Sequence, residues 1–440
     1  MPVLPIPRRA IFFLSLFLLG PGSPIRADDW PRWRGPRGDG IWREDGILRK
    51  FPSGGPRFIW RVPIGPGYTG PSVAEGRVYC MDRDSKAETE RVTCHEFETG
   101  KLVWSHTYPA PYSGVDYKAG PRATPTFCEG RLYTLGTMGH LLCLEASTGK
   151  VLWKKDLAPE YGARIPTWGI AAAPLVEGRL LAVNCGGSPA ACVVAFDRET
   201  GAEAWKAIED APAYSPPAVT EAGGRRQLIQ WTGRHVFSLD PATGKELWRI
   251  PFKSRFDLAI IAPVHYRDHL FVSSFYGGAL LLDLDPVKPA ARVRWQSEPA
   301  DERQTKIIHC LMSNPWFSGD HFYGVDSYGQ LRCIEIATGK RLWETFAATG
   351  NARWSNAHII PNGDAAFLWN EHGELIIARL SPEGYTELAR EKLLEPTVGS
   401  EGLRAVTWAH PAFAARRVVV RNDLEMVCAD LSVGEEAGTK

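Results

Sequence analysis

Leu239-Asp240-Pro241-Ala242-Thr243-Gly244-Lys245-Glu246-Leu247-Trp248 is the stretch that decides how this chain folds. Its start is apolar and β-prone, its middle is a turn, and its end is a short run closing on a large aromatic. The pattern returns at residues 95–104, 144–153, 196–205 and 334–343. Each copy therefore predicts a hairpin, with Gly at φ > 0, where a Cβ would clash, and the residues before it in a type I turn. Trp stands four residues beyond Gly in every copy. A strand Trp fixed in every repeat reads as a packing residue between neighbouring units. A ligand-stacking role for these residues is the weaker reading.

Working outward, the marker residues are Trp60, Trp104, Trp153, Trp205, Trp248, Trp295 and Trp343, spaced 43 to 52 residues apart. A period of this size means a solenoid or a propeller. Each unit reads as four strands. The first starts near a Pro (Pro71, Pro125, Pro174, Pro217, Pro263, Pro315, Pro411), where a missing N–H forfeits no ladder bond. A Gly-centred turn such as Glu75-Gly76-Arg77 leads to the second strand. The third ends at Thr-Gly and the fourth at Trp.

Two units are worn. Asp285-Pro286-Val287-Lys288-Pro289 replaces Thr-Gly in one, and Pro382-Glu383-Gly384 with Leu388 replaces the turn and Trp in another. The last unit, 404–431, has only three strands, at 406–413, 417–420 and 425–429. The orphan strand 58–62 supplies its fourth, which gives an all-β, eight-bladed propeller of four-stranded antiparallel blades over 58–431. Closing the ring with strands from both chain ends removes the open edge that a solenoid would expose.

No Gly-His…Trp-Asp pattern of the WD40 type is present. The Asp-x-x-Thr-Gly-Lys-x-Leu-Trp hairpin instead resembles the repeat of pyrroloquinoline-quinone-like (PQQ-like) propellers, over about residues 58–431. Asp29-Trp30-Pro31-x-Trp33-Arg34-Gly35-Pro36-x-x-x-Gly40 is similar to a motif at the start of exported bacterial members of that group. The resemblance implies eight blades with Trp packed between them. Members include quinoprotein dehydrogenases, an outer-membrane assembly scaffold and many proteins of unknown role.

Composition sets the class of partner. The 440 residues carry 51 basic and 50 acidic side chains, so there is no basic excess for nucleic acid. Residues 1–27 read as an export signal: Arg8-Arg9, an apolar core at 11–19, and a cleavage site after Ala27. That predicts a soluble periplasmic or secreted protein without a membrane span, delivered by the general secretory route. No Cys stands near the cleavage site to anchor a lipid. Residues 28–57 read as an irregular Trp-, Gly- and Pro-rich segment packed on the propeller, and 432–440 as a disordered tail.

Nine Cys is odd for an exported chain and leaves at least one free. Cys94, Cys143 and Cys333 share a slot with Ala195 and Ser238 in other copies, which marks a small buried strand position. Bridges Cys80–Cys94 and Cys185–Cys192 both stay open, neither favoured.

The Glu-Gly-Arg and Thr-Gly turns are short and lie on one face. The other connections vary, and insertions gathered on one face mark a binding face. Residues leading into the first strands should crowd the channel mouth there: Tyr68, Arg122, Thr124, Trp168, Asp257, His309, Asn314, Trp354, Asn356, Trp408 and His410. This polar-aromatic mixture suits a small polar or aromatic ligand. The competing reading is that such groups only satisfy backbone and water.

By the resemblance, a working quinoprotein needs PQQ, a Ca²⁺ to polarise it and a carboxylate base, with the quinone stacked between a Trp and a ring of adjacent disulfide-linked cysteines. This chain has no Cys-Cys pair, no haem-attachment Cys-x-x-Cys-His, no phosphate loop and no His-Glu-x-x-His. No catalytic or metal residue is assigned. The leading expectation is a non-catalytic binding or protein-interaction scaffold. The alternatives are a PQQ-dependent alcohol or sugar oxidoreductase and, more weakly, an outer-membrane assembly scaffold with an envelope partner.

Overall fold

Each Thr-Gly turn closes on a small hydrogen-bond knot that explains its composition. In the first copy Thr99 donates from its hydroxyl to the Glu96 carboxylate at 2.7 Å and accepts the Lys101 N–H at 3.2 Å. Gly100, at φ +72°, donates its N–H to Glu96 O at 2.8 Å. The acid–x–x–Thr–Gly spacing is thus a self-satisfied turn. A β-bulge follows it, as at Cys94/His95, Cys143/Leu144 and Ser238/Leu239. The residue facing each Trp across the hairpin is small: Cys94, Cys143, Ala195, Ser238 and Cys333 face Trp104, Trp153, Trp205, Trp248 and Trp343. All nine cysteines are free thiols.

The computed structural model describes residues 28–298, 302–398 and 404–434. The expected export signal at 1–27 and most of the expected tail at 432–440 lie outside the described residues. Hairpins add strand by strand into eight four-stranded antiparallel sheets, which form an eight-bladed β-propeller with almost no helix. Blade 1 is Ser72–Ala74, Arg77–Asp84, Thr89–Glu96 and Leu102–Pro109. Blade 8 is Ala412–Ala414, Arg417–Arg421 and Glu425–Asp430, completed by Phe58–Pro63. That closing pair is antiparallel, with Trp60 opposite Cys428 and Pro63 opposite Glu425. Seven innermost strands begin immediately after the Pro residues named above.

One boundary differs from the expectation. The strand expected at 406–413 starts only at Ala412, and Ala405–Val406 pairs instead with Thr397–Val398. Residues 407–410 are drawn to the channel mouth, and Pro411 delays the ladder until they have passed it.

The core lies between blades. Val, Leu, Ile and Phe of the second and third strands are almost wholly buried, such as Val78, Leu132, Phe271 and Phe322, each at 0 % exposure. The marker Trp residues tie blade to blade. Trp60 Nε1 donates to Phe97 O at 2.8 Å, Trp104 to Ala146 O at 3.0 Å and Trp153 to Arg198 O at 3.1 Å. Each of these rings lies under the turn Gly of the next blade. A Cβ on Gly149 would sit 2.5 Å from Trp104. The two worn turns differ: Trp248 donates to Gln227 Oε1 of its own blade at 2.8 Å, whereas Trp343 still reaches Ser381 O of the next blade at 2.8 Å.

The N-terminal segment is laid against the innermost strands. Trp30 exchanges both backbone bonds with Val73 of blade 1, and Pro31 O accepts from Phe127 N of blade 2. Trp42 N donates to Pro361 O of blade 7, and Leu48 N to Leu431 O beyond blade 8. The Trp42 ring packs on Phe367 and Phe413 at 5.2 and 4.8 Å. Trp33 reaches into the channel itself.

Candidate functional site

The variable connections converge on a cavity of about 450 Å³ at one end of the channel. Nine aromatic side chains line it: Trp33, Tyr68, Tyr117, Trp168, Tyr214, Phe256, Tyr276, Trp354 and Trp408. They come from the N-terminal segment (Trp33), from blade-to-blade links and from the turn after Ser274, so many separate segments build one wall.

Seven of the eleven residues expected at the mouth line this cavity: Tyr68, Arg122, Thr124, Trp168, Trp354, Trp408 and His410. Four do not. Asp257 turns away from the aromatics against Gly233, where a Cβ would lie 2.3 Å from its Oδ1, and burial raises its pKa. His309 is fully buried, its Nδ1 3.0 Å from Phe275 O and its backbone N–H donating to Asp326 Oδ1 at 2.6 Å. Asn314 donates to Ala262 O at 2.6 Å, and buried Asn356 accepts the Glu371 N–H on its carbonyl at 3.1 Å. The His309 and Asn314 side chains thus serve backbone groups, the competing reading of mouth residues, whereas Asn356 contributes its backbone carbonyl.

Trp33, Tyr117, Tyr214, Phe256, Tyr276 and His358 also line the cavity without having been expected there. Tyr276 had a signal in the sequence, an aromatic beside Gly277-Gly278 in a second-to-third-strand link. Trp33 had only its doubled-Trp motif.

Three of the aromatics stand on strained backbone. Tyr117, Phe256 and Trp354 have φ of 56°, 59° and 65°, the left-handed region that bulky L-residues avoid at about 1–2 kcal/mol each. Their surroundings hold them there. Asp116 O and Tyr117 O accept from Arg122 Nη2 at 2.8 and 2.6 Å, and Gly120 O accepts from Nη1 at 2.8 Å. Trp354 N donates to Ser327 O at 3.0 Å, and the Arg353 guanidinium lies 4.6 Å from its ring centre. Trp408 Nε1 donates at 3.0 Å to Glu371 Oε2, and Arg404 grips the same carboxylate from the other side at 2.7 and 2.9 Å.

The floor is made of neutral imidazoles. His410 Nε2 accepts from Thr124 Oγ1 at 2.5 Å while Nδ1 faces Pro411 O at 3.1 Å. His358 Nε2 is 3.4 Å from Trp408 O. Trp33 meets the His410 ring edge-on at 4.4 Å. Burial pushes the pKa of His358 down to about 4 and that of His410 to about 3. Arg122 is the cation of the wall, and burial lowers its pKa too. Its two terminal nitrogens are committed to Gly120 O, Thr137 Oγ1, Asp116 O and Tyr117 O. No carboxylate lines the cavity among the described residues.

Eight four-stranded blades around a channel, the ring closed by Phe58–Pro63 pairing with Glu425–Asp430, define a PQQ-like β-propeller. The chain belongs to the family described as outer membrane protein assembly factor BamB, whose model matches residues 88–345. BamB of Burkholderia pseudomallei (strain K96243) is 24 % identical over 251 residues, 55 % of this chain and 60 % of that protein. The chain thus spans under two thirds of that relative's length. Polyvinylalcohol dehydrogenase of Sphingopyxis sp. (strain 113P3) is 30 % identical over 167 residues, 34 % of this chain and 24 % of that protein. Among solved structures, a europium-containing methanol dehydrogenase superposes with a TM-score of 0.63 at 15 % identity, covering 89 % of both chains. The fold is shared with scaffold and quinoprotein alike.

The aromatic cavity does not fit PQQ with Ca²⁺. PQQ carries carboxylates and its Ca²⁺ needs oxygen ligands, several of them usually carboxylate. Here the Arg122 terminal nitrogens are committed, and no group of three or more His, Cys, Asp or Glu able to hold a metal occurs among the described residues. An anionic cofactor would lose its water without gaining partners.

Proposed function

We propose that this protein is a non-catalytic binding propeller whose loop-face cavity takes a small, uncharged, flat ligand. What carries the reading is that Tyr117, Phe256 and Trp354 hold strained backbone to complete a wall of aromatic rings. Strain kept at a cavity, and kept by dedicated bonds, points to use of the cavity. Neutral imidazoles and spent Arg122 nitrogens disfavour a charged guest; stacking and burial supply the affinity.

Export and a periplasmic or secreted address fit this reading, as does service to an envelope protein partner of the kind the BamB name indicates. Among the described residues no helix is long and apolar enough to cross a membrane.

The test is quenching of Trp fluorescence by uncharged aromatic probes such as indole or naphthol. Saturable quenching is expected, lost in Trp354→Ala and Trp408→Ala. A probe series with no saturable response would overturn the reading. PQQ added with Ca²⁺ is expected to leave the melting temperature unchanged. Dye reduction with an alcohol or sugar in that mixture would instead establish the oxidoreductase alternative.

A further inference from the structure

The channel has a second chamber, of about 520 Å³, at the end where the short turns lie. Trp33 lines both chambers and stands between them. The second chamber is unlike the first. Its wall is the inner strands of blades 3 to 6 on one side and the N-terminal segment on the other. That segment brings in Arg32, Arg34 and Arg37 from a single turn-rich run, Arg32-Trp33-Arg34-Gly35-Pro36-Arg37-Gly38-Asp39-Gly40.

None of the three arginines forms an ion pair among the described residues. Arg32 Nη2 donates to Pro36 O at 3.0 Å and Arg34 Nη2 to Asp39 O at 2.8 Å, both backbone oxygens. The acids of the chamber make their direct ion pairs with other arginines, although Glu177 and Asp39 still act on Arg32, and Asp39 on Arg34, through space. Glu177 and Glu221 bind Arg226, and Asp39 binds Arg43. Gly38 and Gly40, at φ +70° and +75°, would place a Cβ 3.6 Å from Arg32 Nη2 and 3.4 Å from Arg34 Nε. The backbone thus folds close beneath both guanidiniums. Burial lowers the pKa of Arg34 to about 10 against the opposing pull of nearby Asp39, so it stays charged at neutral pH without a direct ion pair.

We propose that Arg32, Arg34 and Arg37 form an oxyanion-binding site in this chamber, for the phosphate or carboxylate group of a ligand entering from the short-turn face. Guanidinium forks match both groups bidentately. The site is separate from the aromatic cavity, and its failure would leave the reading of that cavity intact.

The experiment is calorimetric titration of the full chain at low ionic strength with inorganic phosphate and, separately, citrate. Saturable binding of one anion per chain is expected. Binding of phosphate alone assigns a phosphate group, of citrate alone a carboxylate, and of both a general oxyanion site. Arg32→Gln, Arg34→Gln and Arg37→Gln should each weaken it about tenfold, the scale of one lost charge-assisted hydrogen bond. Arg37 is exposed, so Arg37→Gln should keep the parent melting temperature and serves if Arg34→Gln folds poorly. Trp408→Ala should bind the anion as the parent does. Absence of saturable heat with either anion, or heat unchanged in Arg37→Gln and in the triple variant, would overturn the site.

Discussion

At the residue scale, the most exacting contact is between Glu371 and Trp408. The carboxylate is buried, bound by Arg404 on one side and by the Trp408 indole N–H on the other. Its removal leaves Arg404 without its charge partner and frees the ring. Glu371→Gln should therefore weaken aromatic-probe binding several-fold while Arg404→Lys, which keeps the charge, weakens it less; fluorescence titration reads both. The two floor histidines give a pH signature. Their folded pKa values, about 4 and about 3, lie below the ordinary 6.5. The unfolded chain takes up these protons as pH falls below 6.5, and the folded chain does not until it nears 4 and 3. Their contribution to stability is full above pH 6.5 and is lost as pH falls through the folded values, on the order of a few kcal/mol. Melting at pH 7 and pH 4.5 should show the drop, and His410→Gln should shrink it.

At the scale of the element, the hairpin was legible because its chemistry is local. The acid, Thr and Gly satisfy one another within five residues, so no distant partner is needed to specify them. The Cys/Ala/Ser slot was equally legible, since it faces the cross-strand Trp in every Thr-Gly hairpin; where Thr-Gly is lost, Leu281 faces Trp295 instead. Gly149 and Gly130 separate two effects. Both are at positive φ, 74° and 73°, but only Gly149 lies over a Trp, and Gly130 has nothing within 4 Å of a Cβ. Gly130→Ala should cost about 1 kcal/mol, the left-handed penalty alone. Gly149→Ala should cost about 1–3 kcal/mol more, because the Trp104 ring must move. Denaturant unfolding of both variants checks the difference. Side-chain direction in the long links was not legible in this way. Phe256 and Asp257 are neighbours with similar φ, yet one faces the cavity and the other Gly233. Only the packing of the neighbouring link decides which.

At the scale of the molecule, the ring and its closure followed from counting strands, whereas the place of Trp33 did not. An irregular segment has no period to read, and its path through the channel is set by inner-strand edges from blades distant in sequence. The closure makes its own prediction. Trp60 is 7 % exposed between blades 8 and 1, while Phe58 on the same strand is 37 % exposed. Trp60→Ala should cost about 3–5 kcal/mol and Phe58→Ala far less, read as melting-temperature shifts.

That closing strand also sets a clock on biogenesis. Arg57 reaches Asp430 across 373 residues of sequence, so the pair cannot meet until every residue between them has been synthesised. At about 5–20 residues per second that is roughly 20 to 75 s during which the early strand waits with its hydrogen-bonding edge bare. Through that interval the strand presents a row of unpaired N–H and C=O groups, the template on which foreign strands add.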